Sequence, residues 1–145
     1  MVVEKQVDGT LQIIEEFMED SIKTHCKGMS EKQLAVMLES IALESNTHFP
    51  VMVDAETKLE KTSAEAKTFT YHYTMINFMS NMINSEKFKA AMAPSLVKQM
   101  CNNTTLRSYM DMGAILEHSY KGKDQFLIAA MQVDKTDCKP SDYGM

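Results

Sequence analysis

Apolar residues recur at helical spacing through the first third of the chain. Leu11, Ile14, Met18 and Ile22 fall on one face, and Ile13 and Phe17 widen the stripe, which predicts an amphipathic helix. Thr10 is placed to cap its start, and Gly28 to stop it in a left-handed conformation. Ser30 and Gln33 have the spacing of a capping box, in which two side chains satisfy backbone N–H groups that the first helical turn leaves open. Leu34, Met37, Leu38 and Ile41 give a second helix its buried face, and Asn46 with Pro50 ends it, so residues 10–46 read as a helical pair.

The period changes after Pro50. Val51 and Val53 alternate with Met52 and Asp54, whereas Thr57 to Thr62 is polar, so this stretch reads as an edge strand or an extended loop. Phe69 to Ile76 is the clearest strand: Phe69, Tyr71, Tyr73 and Met75 point one way, and Thr70, His72, Thr74 and Ile76 the other. Ser85 opens a third helical region with Pro94 inside it, where the helix kinks or restarts. A short helical turn from Thr105 to Met110 is closed by Gly113. A hairpin follows, Ala114 to Tyr120 and Gln125 to Val133, about a turn at 121–124. The order predicts a single α+β domain over 1–145, helical over 10–46 and strand, helix and hairpin over 50–138. Its antiparallel sheet has three or four strands, with the N-terminal helix pair and a further helix packed on one face.

Length and charge narrow the functions open to such a domain. A chain of 145 residues has room for one core, and its net charge of −5 disfavours nucleic acid as a partner, because phosphate binding needs a surplus of cations. Arg107 is the sole arginine available for a bidentate clamp on phosphate or carboxylate. No stretch approaches the ~20 apolar residues of a membrane span. The opening, Met1 to Asp8, is too short and too charged for the apolar region of a signal peptide. Read as the native start, it places the protein in the cytoplasm; read as what remains after removal of a leader, it allows export. No P-loop, dinucleotide fingerprint, GxSxG or CxxC occurs, and no cofactor is expected.

Each residue with chemical potential has a plain alternative. A bridge between Cys101, near the end of the third helix, and Cys138, after the last strand, is sterically plausible; three reduced cysteines with Cys101 buried is the other reading. Cys26 is left over as a free or intermolecular thiol. Its neighbour His25 points about 100° away around a helix, which leaves no in-line nucleophile–base pair. His72 and His118 fall on predicted strands that would bring them within reach of one metal ion, but two imidazoles make no zinc site, and strand histidines on a half-exposed face are the plainer reading. A hydrolase built on either histidine asks for a pocket that also holds a carboxylate such as Glu117. The 14 methionines, locally clustered at Met75, Met79 and Met82 and at Met110 with Met112, admit a soft-metal reading, with Met110, Met112 and His118 converging on copper. Core packing or a pliable partner-binding surface is the commoner cause of methionine richness.

Pro50 with Val53, Asp54 and Thr57, then Phe69, Tyr71, Tyr73 and Thr74, then Cys101, Gly113, Tyr120, Gly122 and Asp137-Cys138, resembles a loose group of small exported bacterial proteins. The group is uncharacterised. The resemblance spans Pro50 to Cys138, implies a periplasmic or secreted protein with Cys101 and Cys138 paired, and carries over no catalytic residue. The expected function is a non-enzymatic, protein-binding or accessory module of the cell envelope, with a homo-oligomer as one form of assembly. Its partner would sit on the sheet face or the N-terminal helix pair, and an exposed apolar stripe there would favour it.

Overall fold

The computed structural model describes residues 13–21 and 30–138; Thr10, His25, Cys26 and Gly28 lie outside them. A helix over 13–21 (α1) and α2, Glu31–Ser45, come first, followed by β1 (Val51–Met52), β2 (Thr57–Glu65) and β3 (Thr68–Met75). The chain crosses over through α3 (Ser85–Asn102) and α4 (Thr104–Asp111) before β4 (Ile115–Gly122) and β5 (Leu127–Val133).

Local chemistry accounts for the helix ends. Ser30 Oγ accepts from the Gln33 N–H at 3.2 Å while Gln33 Oε1 accepts from the Ser30 N–H at 2.9 Å, a completed capping box. α3 starts on Asn84, whose side chain accepts from the Lys87 N–H, and runs through Pro94 as one helix. Pro94 is exposed, as is Ala90, so water can reach the carbonyl left without a helical partner. Gly113 has φ +112°, a conformation that favours glycine, and turns the chain from α4 into β4.

The sheet differs from the expected one in size and in strand direction. It has five strands in the order β1-β2-β3-β4-β5, and it is mixed: β3 pairs with β4 in parallel, and the other neighbours are antiparallel. A parallel pair needs a long crossover, which residues 76–114 supply with two helices. The polar stretch after Thr57 is the full strand β2. A bulge between Leu59 and Lys61 shifts its alternation, so that Leu59 and then Thr62 face the core, opposite Tyr73 and Tyr71.

The core lies between one sheet face and the helices. Phe69, Tyr71 and Tyr73 of β3 with Leu116 and Tyr120 of β4 form its floor, and Leu34, Leu38 and Ile41 of α2 with Leu96 and Met100 of α3 are buried above. α1 is held to α4 through the Tyr109 hydroxyl, which donates to the Met18 carbonyl at 2.6 Å. Cys101 and Cys138 form a disulfide with their Cα atoms 5.5 Å apart, linking the end of α3 to the chain beyond β5.

Two edges of the sheet are finished differently. β1 is only two residues long, and beyond it a side chain takes the place of a strand. The Thr62 N–H donates to Asn46 Oδ1 at 2.7 Å, and Asn46 Nδ2 donates to the Thr62 carbonyl at 2.9 Å. At the other side β5 pairs with β4 alone among the described strands.

Candidate protein-binding surface

Parallel pairing of β3 and β4 decides where the histidines go. Tyr71 stands opposite His118, and His72 opposite Ser119, so the two imidazoles lie on opposite faces of the sheet. A shared metal site is therefore ruled out by the pleat, and no group of three or more His, Cys, Asp or Glu suited to a metal ion occurs among the described residues.

His72 is half-buried on the outer face, with Nε2 2.7 Å from Ser63 Oγ. Burial holds its pKa below the ordinary histidine value, helped by Lys61 and Lys121 and opposed by Glu117. Glu117 shares that face, but its oxygens accept from Thr70 Oγ1 at 3.3 Å and Gln132 Nε2 at 3.0 Å. The set makes a polar surface of mutually satisfied groups.

His118 is a core residue, 1% exposed. Its ring lies flat against Tyr71, centroids 4.5 Å apart and planes 2° from parallel, and Nδ1 is 3.2 Å from the Tyr73 hydroxyl. Tyr73 stacks in turn on Tyr120, and Tyr120 meets the edge of Phe88 from α3. Nε2 is buried with no hydrogen-bond partner among the described residues. Burial alone pushes the imidazole down to about 3, so the ring is neutral at physiological pH, and it pushes the Tyr71, Tyr73 and Tyr120 hydroxyls up. The copper reading asked for the sulfurs of Met110 and Met112 beside this ring; its ring contacts are tyrosines, and Met110 is itself buried in the core.

Exposed apolar surface gathers elsewhere. α2 shows Val36 and Leu43, seven positions apart and so on one stripe, facing away from Leu34, Met37, Leu38 and Ile41. A larger group stands at the β4–β5 turn: Phe126 is 70% exposed, Leu127 58% and Met82 63%.

Asp124 organises this second group. Its carboxylate accepts from the Ser80 hydroxyl at 2.7 Å, from the Ser80 N–H at 3.2 Å and from the Phe126 N–H at 3.3 Å, and the Lys123 N–H donates to the Phe78 carbonyl at 2.8 Å. Desolvation pulls the Asp124 carboxyl up, but these hydrogen bonds outweigh it and hold its pKa below the ordinary aspartate value. The turn and the segment that follows β3 are thereby fastened into one platform. Gly122 lets them close: a Cβ there would lie 2.9 Å from the Met79 carbonyl carbon and 2.8 Å from Asp124 Oδ1, with the Ser80 amide nearer still. Because backbone must move to admit it, Gly122→Ala is expected to cost about 1–3 kcal/mol in a urea titration. An unchanged midpoint would show that the turn and the 79–80 segment are not locked together.

The sequence singled out Met82 only in a methionine cluster with Met75 and Met79, and did not single out Phe126 or Leu127. The available signal was a Phe-Leu pair one residue after the Lys-Gly-Lys-Asp turn, where a hairpin would carry polar residues.

The family described as "Putative quorum-sensing-regulated virulence factor" matches residues 27–139. The chain belongs to that family. Among curated proteins none matches. Three solved structures share the fold. A protein described as a "putative secreted protein" from Pseudomonas aeruginosa is 23% identical with a TM-score of 0.66, over 77% of this chain and all 100% of that one. The pilotin EpsS of the Vibrio vulnificus type 2 secretion system is 19% identical, TM-score 0.61, over 76% of this chain and 96% of the other. The type II secretion system pilotin AspS from Vibrio cholerae is 19% identical, TM-score 0.57, over 74% and 94%. No described helix is long and apolar enough to cross a membrane.

Proposed function

We propose that this protein is a non-enzymatic accessory module of the bacterial cell envelope, periplasmic or secreted, whose single domain holds a protein partner. The observation that carries this reading is the set of large apolar side chains presented to solvent at one corner, Phe126 and Leu127 at the β4–β5 turn and Met82 on the segment that Asp124 ties to that turn through Ser80. Other observations agree with it. The fold is shared with two pilotins of type II secretion systems and with a protein described as secreted. The Cys101–Cys138 bridge suits an oxidising compartment. The two strand histidines, His118 and His72, are spent on a core stack and on a satisfied sheet face.

Cross-linking in the native host tests it. The tagged protein is expected to capture one envelope protein, and Phe126→Asp with Met82→Asp to reduce that capture at least about tenfold while the thermal melt stays put. Equal capture by the variant would move the contact elsewhere, the Val36–Leu43 stripe being the next surface to change. No captured protein at all would overturn the reading.

A further inference from the structure

We infer that α1 is a built-in occupant of a helix-binding groove between α2 and α4, and that the protein partner displaces it with an amphipathic helix of the same pattern. That pattern is apolar side chains four positions apart with carboxylates along one flank. The inference rests on the protein-binding reading above and names a second contact for that partner.

α1 meets the domain as a bound helix does. Ile14 and Met18, one turn apart, are 0% exposed and form its buried face, and Phe17 is half-buried with its ring centroid 6.1 Å from that of His48. The Tyr109 hydroxyl that donates to the Met18 carbonyl also lies 3.8 Å from the Met37 sulfur, so α1 rests where α4 comes beside α2. Its acidic flank is read by uncharged donors. Asn103 Nδ2 donates to Glu15 Oε1 at 2.8 Å, and Thr105 Oγ1 to Glu19 Oε1 at 3.1 Å. Asn103 is held independently of α1, because its Oδ1 accepts from the Leu106 N–H at 3.0 Å as the cap of α4. Glu15 and Glu19 repeat at the spacing of Ile14 and Met18, which sets an acidic stripe beside the apolar one.

Two observations mark α1 as exchangeable. The family matches residues 27–139, a span that contains Met37, Asn103, Thr105 and Tyr109 but begins after α1. The groove belongs to the shared span, and the helix that fills it does not. Methionine also stands on both sides of the contact, Met18 against Met37, and thioether side chains repack readily around a different helix. A segment tethered beside its own groove competes at an effective concentration of about a millimolar, so a partner helix is held off until it outbids α1. Its apparent affinity falls by the fraction of time for which the groove is empty. A second copy is the poorer occupant, because its α1 would make the same contacts without the tether.

Hydrogen exchange on the full chain reads the opening: α1 amides are expected to exchange faster than those of β3, through release of the helix alone. The binding probe is a labelled synthetic peptide of residues 10–24, with a scrambled peptide of the same composition beside it. Ile14→Asp with Met18→Asp, chosen to dislodge α1, is expected to raise affinity for the peptide and the yield of the cross-linked host partner at least about tenfold over the parent. Glu15→Ala with Glu19→Ala removes only the flank contacts and is expected to raise both about threefold, which keeps the test decisive if the aspartates unfold the chain.

Four results would overturn the inference: no peptide binding by either variant, equal binding of the scrambled peptide, α1 amides that exchange no faster than those of β3, or a dimer formed by exchange of α1. If the parent and both variants capture the host partner equally, the displacement inference falls and the protein-binding reading stands. If none of them captures a partner, the reading falls with it.

Discussion

Acidification from neutrality to about pH 4 is expected to remove about 3 kcal/mol of folding stability through His118 alone. The imidazole is 1% exposed, its Nε2 has no described partner, and burial pushes its pKa down from 6.5 to about 3. In the folded protein it therefore stays neutral through a range in which the unfolded chain takes up a proton. Between 6.5 and about 3 the unfolded state binds more protons, so stability falls as pH falls across that window and is flat above it. Asp124 and Asp134, held below the ordinary value by hydrogen bonds, act in the same direction only at lower pH, because their contribution is lost as each is protonated at its depressed folded pKa. The two sources separate by window. Urea titrations of the parent and of His118→Gln at several pH values check this: the variant should lose most of the slope from 6.5 down to about 4, keeping only the part that His72, also held below the ordinary value, contributes. An undiminished slope after the substitution would place the titrating group elsewhere.

Removal of the bridge between Cys101 and Cys138 is the other change of comparable size. The bridge closes a loop with a sequence separation of 37, for which chain entropy alone gives about 4 kcal/mol. A double replacement by alanine, or reduction of the parent, is expected to lower the melting temperature by roughly 10 °C for a domain of this length. Calorimetry with and without reductant reads it directly. Coincident melts would mean that the unbridged chain is already constrained around these positions.

Much of the helical and hairpin structure was legible because it rests on local chemistry. The Ser30–Gln33 box starts α2, Gly113 with its positive φ ends the α4 segment, and the strict alternation from Phe69 to Met75 sorts one face into the core. β2 was legible only as an edge strand or an extended loop, for a physical reason. Its bulge breaks the period of two, and its inward positions include Thr57 and Thr62, polar residues satisfied by the Met75 sulfur and by Asn46. The parallel register was beyond local reading as well, since the crossover segment is long enough for either direction. That one unknown also decided the histidines. Each could be placed on a strand, but whether they shared a face depended on Tyr71 standing opposite His118. The exposed trio at the turn stayed hidden because its members come from two distant stretches of chain, joined only by Asp124 and Ser80.

The direction of β3 and β4 has a mechanical consequence. Strands that run the same way leave the sheet at the same end, so the stretch after Met75 and the stretch after Gly122 emerge side by side although two helices separate them along the chain. The Asp124–Ser80 clasp spans those two exits. Through that clasp the exits of the two central strands are tied to each other directly, independently of the helices that join them along the chain.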